Sequence, residues 1–255
     1  MEPANMAALL LLAGLAAYMQ TLTGFALGLI MMGGIALAAI MPINEAAILV
    51  SFLTVVNAAQ VLAKGWRNIA KREFTLIIIP SLLFLLIGYW LLGLLLDSSV
   101  VWLKLVLGIF IIISSIQLLM KPTPLEKPSA AGSFIFFGSL AGLMGGLFST
   151  AGPPLVYHLY RQPLRLAVIR ETLVAVFGLN ALVRLGTVMA AGEMPSIDFW
   201  WSLLAIPVVI LFTFLARRFP PPLSAVALRR LAFVLLFLSG ASLAIPAIFT
   251  LVADI

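Results

Sequence analysis

GGLFSTAGPPLVYHLYRQPLR, residues 145–165, decides how this chain is read. It continues an apolar run that approaches the length of a bilayer crossing. It then sets Ser149 and Thr150 before two adjacent prolines, Pro153 and Pro154, with the only histidine, His158, just after them. A plain transmembrane helix needs none of these interruptions. Irregular backbone at membrane depth leaves amide and carbonyl groups unpaired, and it survives only where protein or a polar cavity receives them. Ser149 or Thr150 can cap a new half-helix, and proline suits a first helical turn because the N–H it lacks had no partner there.

The rest of the composition agrees with a membrane setting. Of 255 residues, 64% are hydrophobic and 9% charged, and the mean hydropathy is +1.21. Soluble domains are about 25% charged, and several runs here reach the roughly 20 apolar residues that span hydrocarbon. The fold class is therefore an all-α polytopic membrane protein. With no cysteine, one histidine and nine carboxylates, disulfides and thiolate metal sites are excluded. No nucleophile–base pair, metal cluster or P-loop is evident, so neither an enzyme nor a cofactor or metal is expected. The N-terminal stretch lacks the basic region of a signal peptide and is read as retained structure.

Continuous spans are expected at about 45–63, 74–96, 99–120, 166–189, 196–216 and 229–250. Two stretches, 5–41 and 131–160, are too long for one span and are expected to break near their middles, at QTLTG (residues 20–24) and at STAGPP (residues 149–154). The Pro-rich segment KPTPLEKPSA, residues 121–130, reads as a linker between a first repeat, 1–120, and a second, 131–255.

Nearly all of the 15 Lys and Arg fall in four groups, at 64–72, 121–127, 161–170 and 217–230. Asp97, Glu193 and Asp198 occupy the loops between, and Trp90, Trp102, Trp200 and Trp201 flank those loops as an aromatic belt would. The positive-inside rule puts the basic groups in the cytoplasm, the acids outside and both termini outside. The expected location is a cell membrane, of bacterial inner-membrane type. The linker and the 161–165 loop then share a face, so 131–160 is a hairpin, either re-entrant or crossing twice, and 5–41 is another. Each half becomes a broken hairpin followed by three spans, the second half inverted. Inverted repeats with interrupted helices are a transporter design that binds substrate where the breaks meet. Helix N-termini there favour an anion.

Two blocks resemble the sulfite exporter TauE/SafE family: TGFALGLIMMGGIALAAIMP with NEAAILVSFL in the first half, and GGLFSTAGPPLVYHLYRQPL with IRETLVAVFGLNALVRL in the second. The resemblance covers nearly the whole chain. It implies a membrane transporter of small sulfur-containing anions such as sulfite, sulfoacetate and related organosulfonates, or thiosulfate. Gly24-Phe25-Ala26 stands where the family often has Gly-Phe-Gly, and residues 149–154 replace a more Gly-rich block; both changes bear on the pocket rather than the fold.

The residues expected to bind substrate are Thr23, Gly24, Asn57, Thr150, Gly152, Asn180 and Arg184. Asn180 and Arg184 lie four apart and share a helix face, and an intramembrane Arg suits an oxyanion. It also lies near enough to a span end to snorkel. Asn57 and Gln60 serve equally well as substrate contacts or as helix-to-helix hydrogen bonds. His158 is a candidate for proton coupling, against the commoner structural role of a single histidine. The expected function is secondary transport by alternating access, with an anion channel or a carrier of another small organic anion as alternatives. The expected partners are a small anion and the lipid bilayer. Nucleic acid is not expected, and homo-oligomer formation is left open.

Overall fold

The computed structural model describes residues 2–98, 100–119, 125–150, 153–193, 195–219, 234, 237, 240–241 and 244–252. Every regular element among them is helical. Gly152, residues 121–124 of the linker and much of the expected 229–250 span lie outside the described residues.

The first hairpin is α1 (Pro3–Thr23) and α2 (Leu27–Leu37). At about 1.5 Å per residue, the 21 residues of α1 are long enough to cross the hydrocarbon alone, whereas the 11 of α2 reach about half-way. The chain breaks at Gly24, which takes φ 82° as its N–H donates to Gln20 O at 2.7 Å. Glycine adopts this left-handed conformation without the Cβ clash that other residues meet. Gln20 to Thr23 therefore stay helical, and the break begins at Gly24, the last residue of the expected QTLTG segment. Ala26, at φ 100°, completes the reversal at the entry to α2.

The second hairpin has the same form. It joins α6 (Ala131–Phe148) to the eight-residue α7 (Pro153–Tyr160), with Ser149 left-handed at φ 53°. In both hairpins the break lies beyond the middle, so a nearly full-length limb is followed by a short one. Leu125 N–H donates to Arg161 O at 2.7 Å, and Ser129 N–H donates to Gln162 Oε1 at 3.0 Å. The segment before α6 and the turn after α7 thus meet at one end of the molecule, as a hairpin requires.

The remaining helices follow the apolar runs closely: α3 (Ile43–Gly65), α4 (Lys71–Ser98), α5 (Val100–Leu119) and α8 (Leu166–Ala190). A short 3-10 turn, Trp66–Asn68, links α3 to α4. The run expected at 196–216 is divided into α9 (Phe199–Ser202) and α10 (Ala205–Arg218). Six helical runs among the described residues are long and apolar enough to cross a membrane. Ile79, Leu83, Ile87 and Trp90 of α4 are exposed, as lipid-facing side chains are. This is a multi-pass membrane protein.

Three contacts organise the bundle: α4 along α6, α3 along α8, and α1 along α10. The first is a seam of small residues. Gly138, Gly142 and Gly146, one turn apart on α6, face the backbone of Ile77, Ser81 and Leu85 on α4. A Cβ on Gly142 would lie 2.6 Å from Ser81 C and 2.7 Å from Ser81 Cα. Only glycine allows this approach, and close van der Waals packing is what holds helices together in lipid.

Candidate functional site

The two hairpin breaks come together. A Cβ on Gly28, in the first turn of α2, would lie 2.9 Å from Thr150 Cβ in the second break. The Ser149 hydroxyl donates to Ala47 O at 2.7 Å, beside Ser51 Oγ at 2.5 Å, which fastens that break to α3. Between the breaks and α8 lies a cavity of about 460 Å³, its open mouth included. Its polar lining comes from Gln20, Thr54, Ser149, Thr150, Asn180 and Arg184, and its apolar lining includes Phe25, Leu29, Val156 and Phe177.

Arg184 is 1% exposed. Its Nε donates to Gly146 O at 3.2 Å, and its guanidinium lies 5.7 Å from the Tyr89 ring centroid. The Gly146 carbonyl is within reach because the seam draws α6 close to α4 and α8 lies beside both. Nη1 is buried without a hydrogen-bond partner. Among the described residues no carboxylate lies within ion-pair distance of Arg184; Glu193, exposed in the following loop, acts on it electrostatically from farther off. Arg184 therefore points into the bundle and does not snorkel to an interface.

Asn180, one turn earlier, donates from Nδ2 to Ser81 Oγ at 2.8 Å, and its other amide atom has no partner. Gln20 Oε1 accepts the Leu27 N–H at 3.0 Å, and Gln20 Nε2 is buried and unpartnered. The cavity thus holds strong, unsatisfied hydrogen-bonding atoms, and such burial is costly unless a ligand or water completes it.

Of the residues expected to bind substrate, Thr150, Asn180 and Arg184 line the cavity, and Thr23, Gly24 and Asn57 lie outside its lining. Thr23 Oγ1 donates to Met19 O at 2.7 Å and accepts the Phe25 N–H at 3.3 Å, which shapes the break. Gly24 packs against the backbone of Arg170, where a Cβ would meet Arg170 Cα at 2.9 Å. Asn57 Nδ2 reaches Thr21 Oγ1 at 3.0 Å and Thr213 Oγ1 at 2.8 Å, joining α1, α3 and α10. His158 is buried between aromatic rings, stacked on Phe137 at 4.4 Å and edge-on to Phe134 at 4.9 Å.

Sequence reasoning passed over Gln20, Thr54, Phe25 and Phe177 as lining residues. Thr54 carried a usable signal, since it is a polar residue three positions before Asn57 in the middle of α3. Phe25 and Phe177 carried none, because apolar side chains in a membrane helix look alike whether they face lipid or a ligand.

Residues 9–243 match the family model described as "Sulfite exporter TauE/SafE". The chain belongs to the sulfite exporter TauE/SafE family. A curated relative, the "Probable sulfite/organosulfonate exporter TauE" of Cupriavidus necator, is 37% identical over 239 residues, covering 93% of both chains. Another, the "Probable inner membrane transporter protein TsaS" of Comamonas testosteroni, is 32% identical over 165 residues, covering 62% of this chain and 65% of its own. No solved structure matches significantly. The TauE/SafE family is one of membrane transporters, not enzymes. The cavity between the two breaks is the candidate transport site of this TauE/SafE member.

Proposed function

We propose that this protein is a secondary transporter that carries a small sulfur-containing anion, a sulfite, organosulfonate or thiosulfate, by alternating access. The observation that carries this reading is Arg184: a guanidinium 1% exposed, inside a membrane bundle and bordering a cavity, with Nη1 buried and unpartnered. A buried charge without a counter-charge costs several kcal/mol, and a bound oxyanion with two or three acceptor oxygens removes that cost. The name of the Cupriavidus necator relative supports sulfite or organosulfonate chemistry, and both names support transport. Outward movement of an anion is favoured by an inside-negative potential, by about 2.3 kcal/mol per charge per 100 mV.

The contact pattern supports two equivalent, inverted repeats. The helix pairs α4–α6 and α1–α10 exchange places under a two-fold relation between the halves, while α3–α8 maps onto itself. The Asn57–Thr213 and Asn180–Ser81 bonds exchange in the same way. Orientation with the basic loops in the cytoplasm is supported by Arg217, whose Nη1 donates to Gln60 O at 2.8 Å near the Lys64 end of α3. At the other end Glu45 Oε1 accepts the Ser196 N–H at 3.0 Å, so those two loops share a face. The aromatic packing of His158 supports a structural role over proton coupling.

The test is sulfite binding, followed by thermal stabilisation of the detergent-purified protein, and uptake into proteoliposomes. Arg184→Ala is expected to weaken binding by about 100-fold or more, as loss of one partner of a buried charge pair does. Unchanged affinity in a folded variant refutes the reading. Trans-acceleration of flux by sulfite on the far side is expected of a carrier; its absence, with flux intact, identifies an anion channel.

A further inference from the structure

The half-helix N-termini are alike in placement but not in chemistry. Pro153 and Pro154 occupy the first two positions of α7, so its opening turn has no N–H at either. Leu27, Gly28 and Leu29 open α2, and each carries an N–H too early in the helix to bond back within it. The Leu27 N–H is taken by Gln20 Oε1 at 3.0 Å. That bond also sets the Gln20 amide. A backbone N–H can only donate, so Oε1 must face Leu27 and the amide nitrogen must face away.

Nε2 is left buried and unpartnered on a side chain that is 2% exposed. It lines the same cavity as Gly28, Leu29 and Arg184. The Nη1 of Arg184 is a second free donor, supplied from the opposite half of the chain. We propose that Gln20 is a substrate-binding residue: its Nε2 and the Gly28 and Leu29 amides of the first hairpin hold the anion's oxygens against Arg184, while the proline-started α7 forms a wall. This rests on the reading of the cavity as an anion site. It goes further by drawing the helix-start N–H donors from one break only within a two-fold fold. The first break supplies the backbone and amide N–H donors, α8 supplies the charge, and the second break and α7 add the Thr150 hydroxyl and the apolar surface of Val156.

Gln20→Glu is the test, because a carboxylate still accepts the Leu27 N–H but presents an oxygen where the amide presented a donor. Full-length protein in detergent is titrated with sulfite and with ethanesulfonate, and Arg184→Ala is run beside it. Gln20→Glu is expected to weaken both anions by at least about 10-fold, the scale of a lost charge-assisted hydrogen bond, with the ligand-free melting temperature near wild type. Wild-type affinity in Gln20→Glu alongside lost binding in Arg184→Ala overturns this proposal and leaves the anion site standing. Wild-type affinity in both variants overturns both. Where Gln20→Glu does not fold, wild-type crystals soaked in selenite decide the matter. An anomalous peak within hydrogen-bonding range of Gln20 Nε2 and Arg184 supports the assignment, and a peak beyond reach of Gln20 overturns it.

Discussion

Gly142→Ala tests the helix seam that supports the site. The added Cβ would lie 2.6 Å from Ser81 C, where ordinary van der Waals contact begins at 3.4 Å. The two helices must therefore part by at least about 0.8 Å at this level, because the Ser81 carbonyl oxygen lies closer still and none of these backbone atoms can swing away as a side chain could. Ser81 Oγ is also the acceptor for Asn180 Nδ2 at 2.8 Å. If Ser81 moves back with α4, that bond lengthens to at least about 3.6 Å and ceases to be one. Overpacking of this kind costs about 1–3 kcal/mol, and an interhelical hydrogen bond in a membrane protein adds about 0.6 and at most about 1.7. The expected loss is about 2–4 kcal/mol, read by reversible unfolding in an SDS-containing mixed-detergent titration. Gly132→Ala is the control on the same helix, because nothing lies within 4 Å of its Cβ position; it should be neutral or stabilising by up to about 1 kcal/mol. Wild-type stability in Gly142→Ala, or an equal loss in Gly132→Ala, refutes the argument.

Three other substitutions probe the breaks and the polar contacts beside them. Ala26→Gly removes left-handed strain at φ 100°; after glycine's greater unfolded-state entropy is counted, a gain of roughly 0.5–1 kcal/mol is expected in the same titration. Asn57→Ala removes two bonds that join three helices and should cost about 1–2 kcal/mol while leaving sulfite affinity unchanged, because Asn57 does not line the cavity. His158→Phe keeps the ring stack with Phe137; the pH profile of proteoliposome flux should match wild type, and a flattened profile would restore the histidine to a coupling role.

The spans were legible because lipid imposes one rule on every exposed helix face, and long apolar runs satisfy it openly. The Pro-Pro pair announced the second break for the same reason, since proline cannot continue the preceding helix. Arg184 and Asn180 could be found as polar groups where hydrocarbon tolerates few, and their shared face follows from helical spacing. The exact turning points could not be found so. Gly24 stood out as a glycine, but Ala26 and Ser149 adopt left-handed backbone that their residue types do not favour; packing of one hairpin on the other holds them there. Asn57 looked the same as Asn180 in sequence, and each has its Nδ2 paired and its Oδ1 unpartnered; what separates them is that only Asn180 borders the cavity. Gln20 was hidden for a related reason. Its donor becomes available only because a backbone amide seven residues later claims the other end of its side chain.

The pairing of α1 with α10 and of α4 with α6 separates covalent order from mechanical order. Each pair takes one helix from residues 1–120 and one from 131–255, so neither stretch of chain keeps a closed packing surface when removed from the other. A protease cut within residues 125–130 would leave the two fragments clasped, and expressing either alone would expose the Gly142 seam or its Ser81 counterpart to lipid. Under the alternating-access mechanism proposed above, rocking would be between these clasped pairs and the central α3–α8 contact, with every moving part carrying residues from both ends of the sequence.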